Sequence, residues 1–396
     1  MTTLDTVRPA PVAAPSAGPA RPVWWTEELT LLDEQLVRFF ETEYLPFEAE
    51  WEKAGIVPRS FWQKAGAAGI LGISLPEEFG GSGGSIFHDA VLFDVLGRLG
   101  ISGFGIHVHL IAAHYVLTHG TEAQKARWLP KLVSGEWIGA IAMTEPGTGS
   151  DLKAVRTRAV PDGDGYLLSG AKIFISNGIN ADFILVVARV NGEGAKAVSL
   201  VGLETDGVAG FRRGRNLDKI GQKAQDTAEL FFDDARVPAD ALLGGAEGRG
   251  FGQLMDQLVY ERLMLAILAV GAMDRAVRLA RDYTRERTAF GKPIGQFQNT
   301  AFKLAECATE ARIARVFVED CVTRFAAGGL DAATVSMAKW WTTDRQGAIA
   351  DTCLQMFGGY GYMTEYPIAR LYADARVQRI YGGTNEIMKE LIARSL

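Results

Sequence analysis

The 396-residue chain reads as an α+β multidomain protein: an N-terminal α-helical domain, a middle antiparallel β domain and a C-terminal four-helix bundle. Three observations predict this. Apolar residues recur near the helical period in the first and last thirds, short β-branched runs between turns fill the middle, and the length exceeds what one hydrophobic core usually supports. The segments expected are a flexible tail over 1–24, helices over 25–141, strands over 142–249 and helices over 250–396.

Residues 1–22 are rich in Ala and Pro but hold no continuous apolar stretch, which reads as a tail and not as a secretory signal. Leu29, Leu32, Leu36, Phe39 and Phe40 then mark a helix, and Ile86 to Leu96 repeats the pattern. Between them, Pro76 to Gly84 is too rich in glycine for regular structure, and it fits no GxGxxG dinucleotide frame. In the middle, Tyr166–Leu168, Lys172–Ser176, Phe183–Val190, Ala197–Leu203 and Ala228–Phe232 read as strands, with turns at Asp162–Gly165 and Asn191–Gly192. No helix lies between these strands to make parallel crossovers, so antiparallel pairing is expected. After Gly250 the helical period returns, broken near Gly291–Pro293, Gly328–Gly329 and Gly358–Gly361, and four long helices fit the span.

Composition narrows the function classes. A net charge of −6 gives no electrostatic reason to bind nucleic acid or an anionic membrane surface. The longest apolar run, Leu263 to Met273, is far shorter than the ~20 residues a membrane span needs. Cys307, Cys321 and Cys353 form no CxxC pair, which suits a reducing cytoplasm better than a disulfide framework or a zinc site. The five histidines all fall between His88 and His119, so no histidine triad or metal cluster is expected near the C-terminus.

Two long motifs carry the chemistry. Ala142-Met143-Thr144-Glu145-Pro146-Gly147-Thr148-Gly149-Ser150-Asp151 is one; Gln355-Met356-Phe357-Gly358-Gly359-Tyr360-Gly361-Tyr362, with Glu365, Arg370, Asp374 and then Ile380-Tyr381-Gly382-Gly383-Thr384, is the other. Together they resemble the two signatures of the acyl-CoA dehydrogenase family, departing at Thr148, where a smaller residue is usual, and at Gly382, where most members carry their catalytic glutamate. The likeness covers nearly the whole chain after residue 25, and it is strongest to the long-chain members.

The resemblance implies FAD held between the β domain and the bundle, with a neighbouring subunit of a homotetramer, a dimer of dimers, covering part of it. Ile141, Ala142, Met143, Thr144, Gly149 and Ser150 would follow the flavin, Ser150 also nearing the substrate, and backbone amides of such a glycine-rich turn can donate to anionic oxygens. Phe174, between Ile173 and Ile175 and followed by Ser176, would pack on the flavin ring where many members have tryptophan; an aromatic in a strand otherwise reads as core. Arg287, Phe290, Phe297 and Gln298, together with Gln355, Gly358 and Gly359, match the segments that reach FAD across a subunit interface, the Arg287 fork pairing with the diphosphate. In a monomer Arg287 is a solvated charge. Thr384, Asn385 and Glu386 would sit by the dinucleotide in their own subunit, or form an ordinary helix start.

Family chemistry removes an α-proton from an acyl-CoA thioester while hydride leaves Cβ, and so needs a carboxylate base. Leu254, Leu258, Glu261, Leu265, Leu268 and Ala272 advance by 4, 3, 4, 3 and 4, which places Glu261 on an apolar helix stripe. Burial there would raise its pKa and strengthen it as a base. Long-chain and isovaleryl-type members carry their base within a Glu-Arg-Leu sequence on this helix, like Glu261-Arg262-Leu263 here. Tyr260, Arg262, Gly382, Gly383 and Ser150 are the expected substrate neighbours, the Gly382 N–H remaining a donor to the thioester oxygen. Alternatives are a buried ion pair at Glu261 and Arg262 without catalytic duty, or Glu386 as the base.

The reaction implied is FAD-dependent dehydrogenation of an acyl-CoA to its trans-2-enoyl-CoA in fatty acid β-oxidation, with electron-transfer flavoprotein as acceptor, no metal, and a cytoplasmic or organellar-matrix setting. Two other functions fit the motifs less well: a flavin oxidase or monooxygenase on the same fold, and a non-catalytic acyl-CoA-binding scaffold.

Overall fold

The computed structural model describes residues 21–396. Of the tail expected over 1–24, residues 21–24 fall within it and 1–20 lie outside; Trp24 is packed, its ring stacked on Phe87 with centroids 5.1 Å apart. The chain then forms helices α1 (Glu27–Glu43), α2 (Glu48–Ala54), α3 (Arg59–Ala67), α4 (Ile86–Leu99), α5 (Ile106–His119) and α6 (Glu122–Ser134). Local chemistry starts them: Thr26 accepts from the Leu29 N–H, and Thr121 with Gln124 makes a reciprocal capping box. Helix α5 is buried on nearly every side, which makes it the centre of this region.

Strands β1 (Gly139–Ala142), β2 (Arg158–Asp162), β3 (Gly165–Ser176), β4 (Phe183–Arg189), β5 (Val198–Glu204), β6 (Phe211–Asn216) and β7 (Thr227–Pro238) form one sheet. Its order is β1-β4-β2-β3-β7-β6, with β5 also on β4. The expectation of uniform antiparallel pairing is corrected here. β1 runs parallel to β4, because α6 delivers β1 to the sheet and β2 and β3 intervene before β4 is laid beside it. Tyr166–Leu168 and Lys172–Ser176 are parts of one strand, β3, whose register against β7 slips between Leu168 and Gly170 and again between Lys172 and Ile175. The second slip spans Phe174.

The last third holds α7 (Gly250–Glu286), a hairpin of β8 (Thr288–Ala289) and β9 (Lys292–Pro293), then α8 (Gln298–Ala326), α9 (Ala332–Met356), α10 (Pro367–Ala375) and α11 (Asn385–Ala393). Four long helices were expected; three form, because the Gly358–Gly361 break and the turn at Gly382–Gly383 divide the remainder into two nine-residue helices packed on α9. The leucine-rich face of α7 lies against α4, α8 and α9. Where α4 and α7 cross, Gly97 and Gly271 let the backbones touch: a Cβ on Gly271 would stand 2.6 Å from the Asp94 carbonyl oxygen. That close approach brings the middle of α7 up to the N-terminal helices. Among the described residues no helix is long and apolar enough to cross a membrane.

Candidate active site

Glu261 lies on α7 and is only 6% exposed. Its Oε1 accepts a hydrogen bond from the Tyr115 hydroxyl on α5 at 2.8 Å, and no cation among the described residues pairs with it. Burial pushes its pKa up to about 7, against smaller lowering effects from the Tyr115 hydrogen bond and the Arg262 charge. The result is a carboxyl group that titrates near neutrality in an apolar setting.

The next residue ties this helix to the C-terminal turn. Arg262 Nε donates to the Gly382 carbonyl at 3.4 Å, and the guanidinium lies near Gly383. Gly382 and Gly383 have φ of 65° and 88°, a region that favours glycine. A Cβ on Gly382 would stand 2.5 Å from Leu265 Cδ1, one helical turn beyond Glu261. A side chain at Gly382 would thus meet α7, and α7 itself carries the Glu261 carboxyl on the preceding turn. The amides of Gly382, Gly383 and Thr384 donate to no group in the chain among the described residues. Neighbouring Tyr381 joins the turn to the β domain, its hydroxyl taking a hydrogen bond from Gln222 at 3.4 Å and its ring lying 5.8 Å from His107.

The first signature sits beside β3. Lys172 Nζ, inside the domain, donates to Glu145 Oε1 at 2.9 Å and to the Met143 carbonyl at 3.0 Å; the Ile173 N–H donates to the Thr144 carbonyl. Glu145 also accepts from the amides of Arg156 and Thr157. This staple holds Ile141 to Ser150 against β3, with Gly149 next to the Thr144 methyl and Ser150 exposed. Ala142 and Ile175 are buried in the sheet core and paired with β4 and β7, while Ser176 is half-buried. Phe174 reverses the core expectation for an aromatic: it is 64% exposed and has φ of 61°. A non-glycine residue in that conformation is strained by ~1–3 kcal/mol. An exposed apolar ring held at such a bulge fits a flat aromatic group such as the flavin of FAD.

Arg287, Phe290, Phe297 and Gln298 surround the β8–β9 hairpin on the bundle surface, and Gln355, Gly358 and Gly359 join them from the end of α9. Arg287 lies over the Tyr360 ring and lines a pocket of about 460 Å³ with Tyr283, Ile294 and Phe357. Phe290 is 95% exposed with φ of 52°, and its edge meets Phe297. Like Phe174, it is an apolar ring presented outward by a strained residue.

Two expected site residues are committed elsewhere. The Tyr260 hydroxyl donates to buried Asp89 at 3.1 Å, and its ring stacks near His114, so it faces α4 and α5 as packing. Asn385 is buried, its side chain bonded to Thr343, Asp344 and Lys339. Thr384 caps α11 by accepting from the Ile387 N–H, and Glu386 is exposed on that helix. Sequence reading did not single out Tyr115 or Lys339. Each meets its partner across a long stretch of chain, and the only local signal for Lys339 is a polar run, Lys339, Thr342, Thr343 and Gln346, that turns out to be buried.

Family models describe the chain in three parts: the acyl-CoA dehydrogenase N-terminal domain matches residues 26–136, the middle domain 140–235 and the C-terminal domain 248–396. The long-chain specific acyl-CoA dehydrogenase of Sus scrofa mitochondria is 47% identical over 376 residues, 94% of this chain and 87% of that protein. A crystal structure of acyl-CoA dehydrogenase from Geobacillus kaustophilus matches with a TM-score of 0.92 at 46% identity, covering 95% of this chain and 99% of the other. Butyryl-CoA dehydrogenase from Megasphaera elsdenii matches with a TM-score of 0.89 at 33% identity, covering 94% and 98%. The chain belongs to the acyl-CoA dehydrogenase family, FAD-dependent oxidoreductases acting on CH–CH bonds.

Proposed function

We propose that this enzyme oxidises an acyl-CoA to its trans-2-enoyl-CoA, with Glu261 as the base that takes the α-proton. The observation that carries the reading is a buried carboxyl, titrating near neutrality, one helical turn before the leucine that meets a glycine turn whose amides have no acceptor among the described residues. In this reading the thioester oxygen sits on the Gly382 N–H, which stabilises the negative charge that develops as the Cα–H bond breaks. Arg262 holds the Gly382 carbonyl and thereby keeps that donor next to Glu261. Tyr115 orients the carboxyl and favours its ionised form, ready to receive the proton. FAD, when bound, supplies the hydride acceptor. Phe174, Thr144 and the signature amides would hold it, and the Arg287 and Phe290 surface of a second copy would complete its site in a homotetramer. Three domains over 25–141, 142–249 and 250–396 follow from the same reading.

The likeness to a long-chain enzyme supports a longer or bulkier acyl group and electron-transfer flavoprotein as the acceptor. Glu261→Gln tests the core of the proposal. Turnover should fall by ~10²- to 10⁴-fold while the protein stays yellow with bound flavin, and a fully active variant would overturn the assignment. A panel of acyl-CoAs from four to twenty carbons, read by flavin bleaching, tests the substrate class.

A further inference from the structure

We propose that Lys339 is a positioning residue for this reaction, anchoring the Gly382–Gly383 turn so that its amides face the thioester oxygen; the inference rests on the reading of Glu261 and Gly382 given above. Lys339 lies on α9 with none of its surface exposed. Its Nζ donates to the Gly383 carbonyl at 2.7 Å and to Asn385 Oδ1 at 2.9 Å, so its two acceptors flank Thr384. No carboxylate lies within ion-pairing distance among the described residues. A buried ammonium without a carboxylate partner is a costly way to pack two helices, and an apolar residue would do that more cheaply. What the ammonium adds is a fixed hold on the turn.

The turn needs one. Two consecutive glycines at positive φ have no side chains to pack, and glycine backbone is the freest in the chain. In a trans peptide the C=O and N–H point in opposite directions, so holding a carbonyl sets the direction of the amide in the same plane. Arg262 holds the Gly382 carbonyl and Lys339 the Gly383 carbonyl, which fixes the Gly383 and Thr384 amides and, through the dihedrals between them, the Gly382 amide. Lys339 is itself held in place. Asn385 is bound to Thr343 and Asp344, and Asp344 pairs with Arg379 at 3.2 Å.

The groups facing Lys339 are Arg262 from α7, Asp344 from α9 and Glu386 from α11. Burial lowers its pKa to about 7, the Arg262 charge adding to that and the two carboxylates opposing it. The anchor therefore holds its proton below about pH 7 and gives it up as pH rises through the same range in which Glu261 ionises.

The test uses full-length holoenzyme and trans-2-dodecenoyl-CoA labelled with ¹³C at the thioester carbonyl, read by infrared difference spectroscopy. A carbonyl held by the turn absorbs at lower frequency than the free thioester. Lys339→Met should return the frequency towards its free value and lower kcat by ~10-fold or more with little change in KM, since a misdirected oxyanion donor acts on the transition state. Glu261→Gln, run alongside, should lose turnover yet keep the wild-type carbonyl frequency. If Lys339→Met leaves both frequency and kcat at wild-type values, or lowers kcat with the frequency unmoved, the positioning role is wrong. A fully active Glu261→Gln would instead remove the underlying reading of the base. Should Lys339→Met give no folded holoenzyme, Lys339→Leu, which likewise removes the donor to the Gly383 carbonyl, is read by the same two criteria.

Discussion

Glu145 and Glu261 are two carboxyl groups buried to nearly the same degree, 7% and 6% exposed, with opposite chemistry. Burial pushes both upward. At Glu145 the Lys172 ammonium and the Thr157 amide more than offset it and hold the pKa below the usual carboxylate value. At Glu261 only the Tyr115 hydroxyl and a neighbouring Arg262, which turns to the Gly382 carbonyl, oppose burial, and the group rises to about 7. One carboxylate has its charge fully answered and serves as a staple. The other keeps an unanswered affinity for a proton. Burial by itself therefore does not mark a functional acid; the number of donors directed at it does.

The contrast breaks first at activity. Glu261→Gln should reduce turnover by ~10²- to 10⁴-fold, whereas substitution on the Glu145 side should act through stability. Lys172→Met leaves the Glu145 charge buried without its cation, and denaturant unfolding should show a loss of ~3–5 kcal/mol.

Next, the two carboxyls should leave opposite marks on stability against pH. The folded pKa of Glu261 is raised from 4.5 to about 7, so its contribution to stability is full below pH 4.5 and is lost as pH rises through about 7. Glu261→Gln should thus gain on wild type between pH 5 and 8, by up to ~3 kcal/mol in unfolding free energy. Glu145, with its pKa lowered, contributes stability above pH 4.5 that is lost as pH falls through its folded value, and Glu145→Gln should flatten that acid limb. The smallest effect is expected at Tyr115→Phe. Losing that hydrogen bond removes a lowering influence on Glu261, so the rising limb of kcat against pH should move to higher pH, with a few-fold loss at pH 7.

Much of the architecture is legible because period and turn chemistry are local. The 4, 3, 4, 3, 4 spacing around Glu261 was enough to place a carboxyl on a buried stripe, and the long motifs identified the family. Pairings between distant segments were not legible. β6, Phe211-Arg212-Arg213-Gly214-Arg215-Asn216, is a strand missed from sequence, since as an edge strand it has no apolar alternation. The motif around Asn385 gives no sign of its side-chain partners, Thr343 and Lys339, which lie more than forty residues earlier, on α9. Phe174 shows the reverse: a strand-forming sequence hides the register slip that turns an apolar ring outward.

Helix α7 carries one further consequence. It runs unbroken from Gly250 to Glu286, so Glu261 and the Arg287 that ends it are separated by 26 residues, roughly 39 Å of rigid rod. A copy cannot fold its own Arg287 back to its own base. If each site borrows that arginine from a partner, intact sites are counted by pairs of chains and not by chains. A mixed pair of Glu261→Gln and Arg287→Ala copies then holds one undamaged site and one doubly damaged site, and co-expression should restore activity that neither parent shows alone.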